Sequence, residues 1–597
     1  MCRIAGILTS PGNLEESHQA VQQMCTIQQH GGPDDEGIWA DAAAGLVLGH
    51  RRLSLLDLSA AGHQPMCRKN RYSISFNGEI YNFPVLKNEL EQMGHRFQTQ
   101  TDTEVILAAY DQWGVQSFKR LQGMFAFALW DQQEQELLLV RDASGIKPLY
   151  YHQCNGLLAF ASEVKAFQFI PSAREQDNHW PVFMMAYGHL PEPVTTLKEV
   201  KPLPKGFFLS YRVKTGETSL QNFSFNSLYK KEEDVTEVKE RLASLLRLSV
   251  NRHLLADAPI GVFLSGGIDS GILFLLAAEQ KKEGLNSLSL YFNEKAYSEK
   301  KYQDILLDKV NCKRNQFLLK EDLFLEQLPR ILTDMDQPSC DGINTWFISR
   351  YAREQGLKAV LSGIGADELL GGYPSFRRLG IVAALQQTPG LSAGATFWKG
   401  RKLSRLAYLR LPGIKGIYLS LRGQYLPIDI ARQLDATEKE VWQILEESPV
   451  LPAIQRFDSR NQACWMETHL YMQNQLLKDA DVMSMAHGIE IRVPFLDAAF
   501  LQYCMNIHPR IKYSGRLPKS LLIQAFKNEL PAAVWNRPKM GFSFPFTEWF
   551  KNSGYVTETI QQAGPLAQEK YNAFLQGSLH WSQLLTLMLV HNKTHEN

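Results

Sequence analysis

The sequence predicts a two-part protein. An α+β domain of layered sheets runs to about residue 212, and an α/β domain built on a parallel sheet follows and ends in helices. Three observations carry this reading. The chain has 597 residues, several times the ~100–200 of a typical domain. Its first part shows short strands with few helices. From about residue 234, apolar strands alternate with amphipathic helices, the pattern of a parallel sheet covered on both faces.

In the first part, Met1–Leu8 reads as a strand and Leu14–Gln29 as a helix, closed by the loop Gly31-Gly-Pro-Asp34. Tyr72–Phe76 alternates into Asn77-Gly78, a dipeptide that predicts a chain reversal. Phe83–Met93 and Thr103–Trp113 read as helices, with Asp102 placed to cap the second. Met124–Trp130, Glu136–Arg141, Leu149–Gln153 and Leu158–Ser162 read as two hairpins. Residues 213–232 form a polar connection between domains 1–212 and 233–597. Beyond it lies a long amphipathic helix, Val235–Leu255. Strands at Pro259–Leu264, Leu288–Phe292, Gln316–Leu319 and Lys358–Leu361 then alternate with helices at Ile268–Glu279, Ser298–Val310, Leu323–Asp334 and Thr345–Gln355. After about residue 375 the chain reads as mostly helical, and from about 553 it carries no motif.

Composition excludes several classes of function. Sixty-three basic residues stand against 62 acidic ones, a net charge of +1. That balance lacks the basic excess of a nucleic-acid binder and offers no global attraction to an anionic membrane. No apolar run reaches the ~18 residues of a membrane span, and no signal peptide is read at the start. The eight cysteines are scattered without a CxxC pair, as expected for reduced thiols in a cytoplasmic protein.

Two places carry chemistry. Cys2 follows Met1. Removing Met1 would leave a thiol beside a free α-amine of pKa about 7.7–8.0, able to act as general base for its own side chain. Asn77 and Gly78 suit an oxyanion hole made of one side-chain amide and one backbone N–H. Arg52 and Asp102 are opposite charges able to clamp the two ends of an amino acid. The second place is Leu264-Ser-Gly-Gly-Ile-Asp-Ser270, a glycine-rich turn between a buried strand and a helix start. There, unpaired N–H groups and the helix dipole favour an anion. Asp269 is placed to hold Mg²⁺. Val360-Leu-Ser-Gly-Ile-Gly-Ala-Asp-Glu368 repeats the strand–glycine logic and ends in two carboxylates.

Seven segments then carry a family resemblance: Met1–Ile7, Gly32–Asp35, Arg52–Asp57, Phe76–Asn82, Thr101–Glu104, Gly123–Phe127 and Arg141–Tyr150. They resemble the class II glutamine amidotransferase domain. With the two loops, Asp479–Asp497, Lys519 and Arg537–Phe542, the whole chain looks like a glutamine-hydrolysing asparagine synthetase. The resemblance implies an αββα N-terminal-nucleophile hydrolase sandwich followed by an ATP-pyrophosphatase domain. It implies Cys2 as nucleophile, Asn77 and Gly78 as oxyanion hole, and Arg52, Glu79 and Asp102 as glutamine ligands. Leu264, Ser265, Gly266, Gly267, Asp269, Ser270, Ser362 and Gly363 would bind ATP. Asp269 and Asp367 would hold Mg²⁺, and Lys519 would stabilise charge in the reaction. Glu490 and Arg492 would support the acceptor pocket or the domain interface. Ammonia from glutamine would cross an internal tunnel and displace AMP from an activated aspartate. The expected partners are therefore glutamine, ATP and aspartate or another carboxylate such as a sugar uronate, with no nucleic acid and no membrane; a homodimer is compatible with this. A non-catalytic regulatory relative is the remaining alternative. Two residues depart from the family pattern: Gly31 stands where an arginine is usual, and Ile364 where an acid is usual.

Overall fold

Strand β1 (Arg3–Leu8) is buried along its whole length. In the computed structural model, which describes residues 2–224, 234–281, 284–388, 401–454 and 457–595, it sits inside a six-stranded antiparallel sheet. Its neighbours are β3 (Leu46–Arg52) and β9 (Leu157–Ala161), and the sheet is completed by β2 (Asp35–Asp41), β8 (Tyr150–Cys154) and β10 (Lys201–Pro202). A second six-stranded sheet runs in the order β12 (Glu217–Asn222), β11 (Phe207–Arg212), β7 (Glu136–Arg141), β6 (Gly123–Asp131), β5 (Tyr72–Ile80), β4 (Met66–Arg68).

The two sheets pack face to face. Ile4, Leu46, Leu48 and Phe160 of the first meet Ala126, Ala128 and Trp130 of the second. Helix α1 (Leu14–Ile27) covers the outer face of the first sheet, setting Val21 and Met24 on Ile7 and Val47. Helices α2 (Phe83–Gln92) and α3 (Asp102–Trp113) cover the second, with Leu86, Leu90 and Ile106 on Phe76 and Phe127. The result is the expected αββα layering.

Several local expectations need correction. Asn77-Gly78 is not a reversal: both residues lie inside β5, opposite Ala126 and Phe125. A Cβ on Gly78 would stand 2.2 Å from the Met124 carbonyl oxygen, so glycine here serves close strand approach rather than a turn. Asp102 does not cap α3; Thr101 does, its hydroxyl accepting from the Glu104 N–H at 3.3 Å. Within the expected connection 213–232, residues Glu217–Asn222 form edge strand β12 on β11. Its residues are mostly exposed and polar, so no apolar alternation marked it. Residues 225–232 of that connection lie outside the described residues.

The second half opens with α5 (Val235–His253), capped by the Asp234 carboxylate on the N–H groups of Thr236 and Glu237. Five parallel strands follow, in the spatial order β15 (Lys313–Leu318), β14 (Asn286–Tyr291), β13 (Ile260–Phe263), β16 (Ala359–Leu361), β17 (Glu490–Arg492). The connections run outward from β13 one way and then from β16 the other. The strand order therefore reverses between β13 and β16. Helices α6 (Ile268–Gln280), α7 (Lys300–Leu307), α8 (Glu321–Asp334) and α9 (Ile343–Glu354) make the crossovers. Beyond them come α10 (Ala366–Leu370), α11 (Ser375–Gln386) and a helical region from which, among the described residues, β17 alone returns to the sheet. Among the described residues no helix is long and apolar enough to cross a membrane.

The halves share one apolar core. Helix α4 (Trp180–Tyr187) of the first half is buried at every residue and belongs to the cluster that contains Leu242, Val262 and Trp346. Buried charges cross the same boundary. Arg3, fully buried, pairs with Glu163 at 2.6 Å and with Asp481 at 2.8 Å. Arg492, also fully buried, pairs with Glu490 at 2.6 Å and reaches Glu79 at 3.4 Å. Removing one member of such a cluster strands the others in a low-dielectric interior, at a cost of about 3–5 kcal/mol. Asp481→Ala is therefore expected to lower the melting temperature of the full chain sharply. A melting curve within a degree of wild type would show that Arg3 does not depend on this partner.

Candidate active sites

The first site lies where β1 enters its sheet. Cys2 is buried, its Sγ 4.0 Å from the Leu53 carbonyl oxygen. Burial pushes its thiol up to about 11, so a neutral thiol needs a nearby base to become a nucleophile. Asn77 is fully buried, and neither atom of its side-chain amide has a hydrogen-bond partner. A buried amide with no partner is costly unless a ligand completes it.

Around these two stand the expected glutamine-binding residues. The Arg52 guanidinium donates to the carbonyls of Ser59 at 2.9 Å, Asp57 at 2.6 Å and Leu56 at 3.3 Å. It is therefore held in place by the loop that follows β3. The Asp102 carboxylate accepts from the Ile80 N–H at 2.8 Å, which ties α3 to the end of β5. Burial raises Asp102 to about 7, with the Ile80 N–H opposing the shift. Burial also raises Glu79 well above the usual range, offset in part by Arg492. Glu79 thus faces the second half, a contact that no local pattern marks.

Gly31 has a steric reason. A Cβ there would meet Arg3 Cγ at 2.7 Å and Nε at 2.9 Å. The space beside residue 31 is taken by the buried Arg3 side chain, which would have to shift to admit a larger residue.

The second site is a cavity of about 360 Å³ at the carboxyl ends of β13 and β16, where the strand order reverses. Crevices at such switch points are where open parallel sheets bind ligands. Both predicted loops reach it. After β13, Gly266 takes φ +86°. Ser265 Oγ bonds Ser270 Oγ at 2.9 Å and accepts from the Gly267 N–H at 3.2 Å. This knits the turn into the first turn of α6. After β16, the Ser362 N–H donates to the Arg492 carbonyl at 2.8 Å, and Gly363 packs against Asp269, where a Cβ would meet that side chain at 3.0 Å. Leu264, Ser265, Gly267, Asp269, Ser270, Ser362 and Gly363 all line the cavity.

Lys519 binds the two carboxylates together. Its Nζ lies 2.6 Å from Asp269 and 2.8 Å from Asp367. Burial works against its charge, but the two carboxylates outweigh it and keep the ammonium protonated. Its backbone sits at φ +55°, at the cap of the short helix Ser520–Ala525. An unusual φ on a non-glycine residue costs energy and is tolerated where function holds it. Lys539 adds a second ammonium 2.9 Å from Asp367, and Arg537 donates to the Gly266 carbonyl at 3.1 Å and pairs with Glu299. Arg537 and Lys539 lie in a segment that carries the family resemblance, yet no local pattern marks either as a residue of this cavity.

Two convergent carboxylates are the hard-oxygen donor set that Mg²⁺ uses alongside substrate phosphates, so the residues fit the expected ion. Among the described residues there is no larger cluster that would cage a metal alone. Ile364 also lines the cavity. Glu368, the nearby acid four residues on, has both oxygens engaged: one accepts from the Gly365 N–H at 3.0 Å, the other from Tyr373 OH at 2.6 Å.

A family profile described as asparagine synthase matches residues 241–585, and one described as a glutamine amidotransferase domain matches residues 1–224. The chain is 31% identical to asparagine synthetase [glutamine-hydrolyzing] 1 of Bacillus subtilis (strain 168), over 94% of this chain and 90% of that protein. It is 30% identical to a putative asparagine synthetase [glutamine-hydrolyzing] of Mycobacterium bovis, over 95% and 92%. It is also 26% identical to a protein named amidase chry2 from Gibberella zeae, over 92% and 90%.

Asp102 makes a testable point about pH. Its carboxyl is raised in the folded state, so between about pH 4 and about 7 the folded chain binds more protons than the unfolded one. Stability drawn from this group falls as pH rises through that window. Asp102→Asn should therefore gain melting temperature relative to wild type from pH 4 to 7 and then level off. A difference that stays flat would mean Asp102 does not titrate there.

Proposed function

This chain belongs to the asparagine synthase family and is a carbon–nitrogen ligase with glutamine as nitrogen donor, and we propose that it uses ATP to amidate the β-carboxylate of aspartate. The observation that carries the proposal is the Lys519 ammonium held between Asp269 and Asp367 at the mouth of the Ser265–Ser270 turn, in one chain with Cys2 and the unpartnered Asn77 amide.

In the first site, Cys2 Sγ attacks the side-chain amide carbon of glutamine. The α-amine exposed by removal of Met1 takes the thiol proton and passes it to the leaving ammonia. The Asn77 amide and the Gly78 N–H receive the oxyanion. Water then cleaves the thioester to glutamate. Arg52, Glu79 and Asp102 hold the α-carboxylate and α-ammonium of the substrate.

In the second site, the aspartate carboxylate attacks the α-phosphorus of ATP, giving β-aspartyl-AMP and pyrophosphate. Ammonia from the first site attacks the acyl carbon, and AMP leaves with asparagine formed. The N–H groups at the start of α6, with Ser265 and Ser270, cradle the phosphates. Lys519 meets the charge that develops on them. Asp269 and Asp367 would hold Mg²⁺, which when bound neutralises phosphate charge.

A different carboxylic acid is the second reading. Ile364 favours it: an apolar side chain stands in the cavity wall where an acid is usual, and both oxygens of Glu368 are engaged elsewhere.

The test is pyrophosphate release from ATP and glutamine with aspartate as acceptor. Aspartate-dependent release with asparagine formed supports the first reading. Glutaminase activity with no aspartate dependence excludes it in favour of the second. Cys2→Ala is expected to abolish glutamine use while ammonium still supports synthesis; loss of both would contradict two separate sites. Asp269→Asn is expected to stop pyrophosphate release with either nitrogen source.

A further inference from the structure

A second cavity adjoins the first at Lys519, and no residue of the Ser265–Ser270 turn lines it. It is a groove of about 770 Å³ that shares Tyr373, Leu517, Pro518, Lys519 and Lys539 with the ATP cavity. No aspartate or glutamate is among the residues that line it. Arg377, Arg378, Arg460 and Lys512 do line it, in addition to the two shared lysines. None of these four has a carboxylate partner among the described residues, although Lys519 and Lys539 do.

Two of the arginines are positioned by backbone carbonyls instead. Arg377 donates to the Arg516 carbonyl and Arg460 to the Tyr513 carbonyl, each at 2.7 Å. Lys512 is the informative one. It is 1% exposed, and the hydrogen bond its ammonium makes is to the weak acceptor Cys464 Sγ, at 3.7 Å. A buried ammonium without an anion is costly, and four unpaired cations in one groove repel one another. An anion in the groove relieves both. Guanidinium groups match phosphate oxygens bidentately.

We infer that this groove receives the diphosphate leaving group: pyrophosphate passes from the Ser265–Ser270 turn across Lys519 into the basic groove and leaves by it. The inference rests on the reading that ATP is split to AMP and pyrophosphate. The groove shares Lys519 and Lys539 with the ATP cavity but none of the residues of that turn, which gives product a way out that does not retrace the path of the nucleoside. It requires no new bond to form or break. A chain of cations from Lys519 and Lys539 to Arg378 and Arg460 hands the anion outward through sites of increasing exposure, since both arginines are exposed and Lys519 is buried.

The test uses the full chain and inorganic pyrophosphate with Mg²⁺, titrated by calorimetry in the presence of AMP. Arg378→Ala and Arg460→Ala lie outside the machinery assigned above, so glutaminase turnover and ATP affinity are expected to stay at wild-type values. Each variant should weaken pyrophosphate binding roughly tenfold, the scale of one charge-assisted hydrogen bond. The loss should shrink at high salt, as exposed charges are screened. Lys512→Met should weaken it further. Unchanged pyrophosphate affinity in all three variants would overturn the inference, and so would equal affinity of the wild type for sulfate and pyrophosphate. If the wild type binds ATP yet releases no pyrophosphate with any acceptor, the reaction reading fails instead, and the two failures are told apart.

Discussion

The architecture hangs on buried cations at the boundary between the halves. Arg3 and Arg492 are both fully buried, and each needs anions from both sides of that boundary. Arg3 leaves the first sheet to meet Glu163 of its own half and Asp481 of the other. Arg492 sits at the end of β17 and joins Glu490 beside it to Glu79 of the first half, while donating to the carbonyls of His253 and Leu255 at 2.8 and 2.6 Å. Such groups specify geometry more than they add stability, because desolvation consumes much of their Coulomb energy. What they specify is the placement of Cys2, one residue before Arg3, relative to Ser362, whose N–H is held by the Arg492 carbonyl. The Cys2 thiol of one site and a loop of the other are thus each a single step from the same buried boundary.

The topology of the second half makes its site legible for a different reason. A parallel sheet whose order reverses between β13 and β16 leaves a crevice at the carboxyl ends of those two strands. The glycine-rich segments after Phe263 and Leu361 sit there because the chain has nowhere else to put two adjacent turns. Lys519 and Lys539 come from far along the chain and are brought in by the helical region that covers the crevice.

Much of this was readable in advance, and the exceptions have physical causes. The Ser265–Ser270 turn was legible because two glycines between an apolar strand and a helix mark themselves locally, and β1 because Ile4–Leu8 is an apolar run. Long amphipathic helices such as α5 and α8 were legible from their period. Asn77-Gly78 misled because the same dipeptide serves a tight hairpin and a close strand approach; only the Met124 carbonyl 2.2 Å from a notional Cβ distinguishes them. Strand β12 escaped because an exposed edge strand carries no apolar alternation. Strand β17 escaped because three residues returning to a sheet from a helical region leave no periodic signal. The role of Gly31 depended on a contact with Arg3 across the fold, which no local pattern records.

Helix α4 has a consequence for how this protein can be divided. A surface helix keeps one polar face, but Trp180–Tyr187 is buried at every position, with the second half supplying much of its cover. A fragment that ended after the first half would present those side chains to water, a contiguous apolar patch of the kind that drives aggregation. Domains joined by a mere tether can be exchanged between proteins or produced apart. These two halves are not interchangeable cassettes: part of each lies in the other's interior.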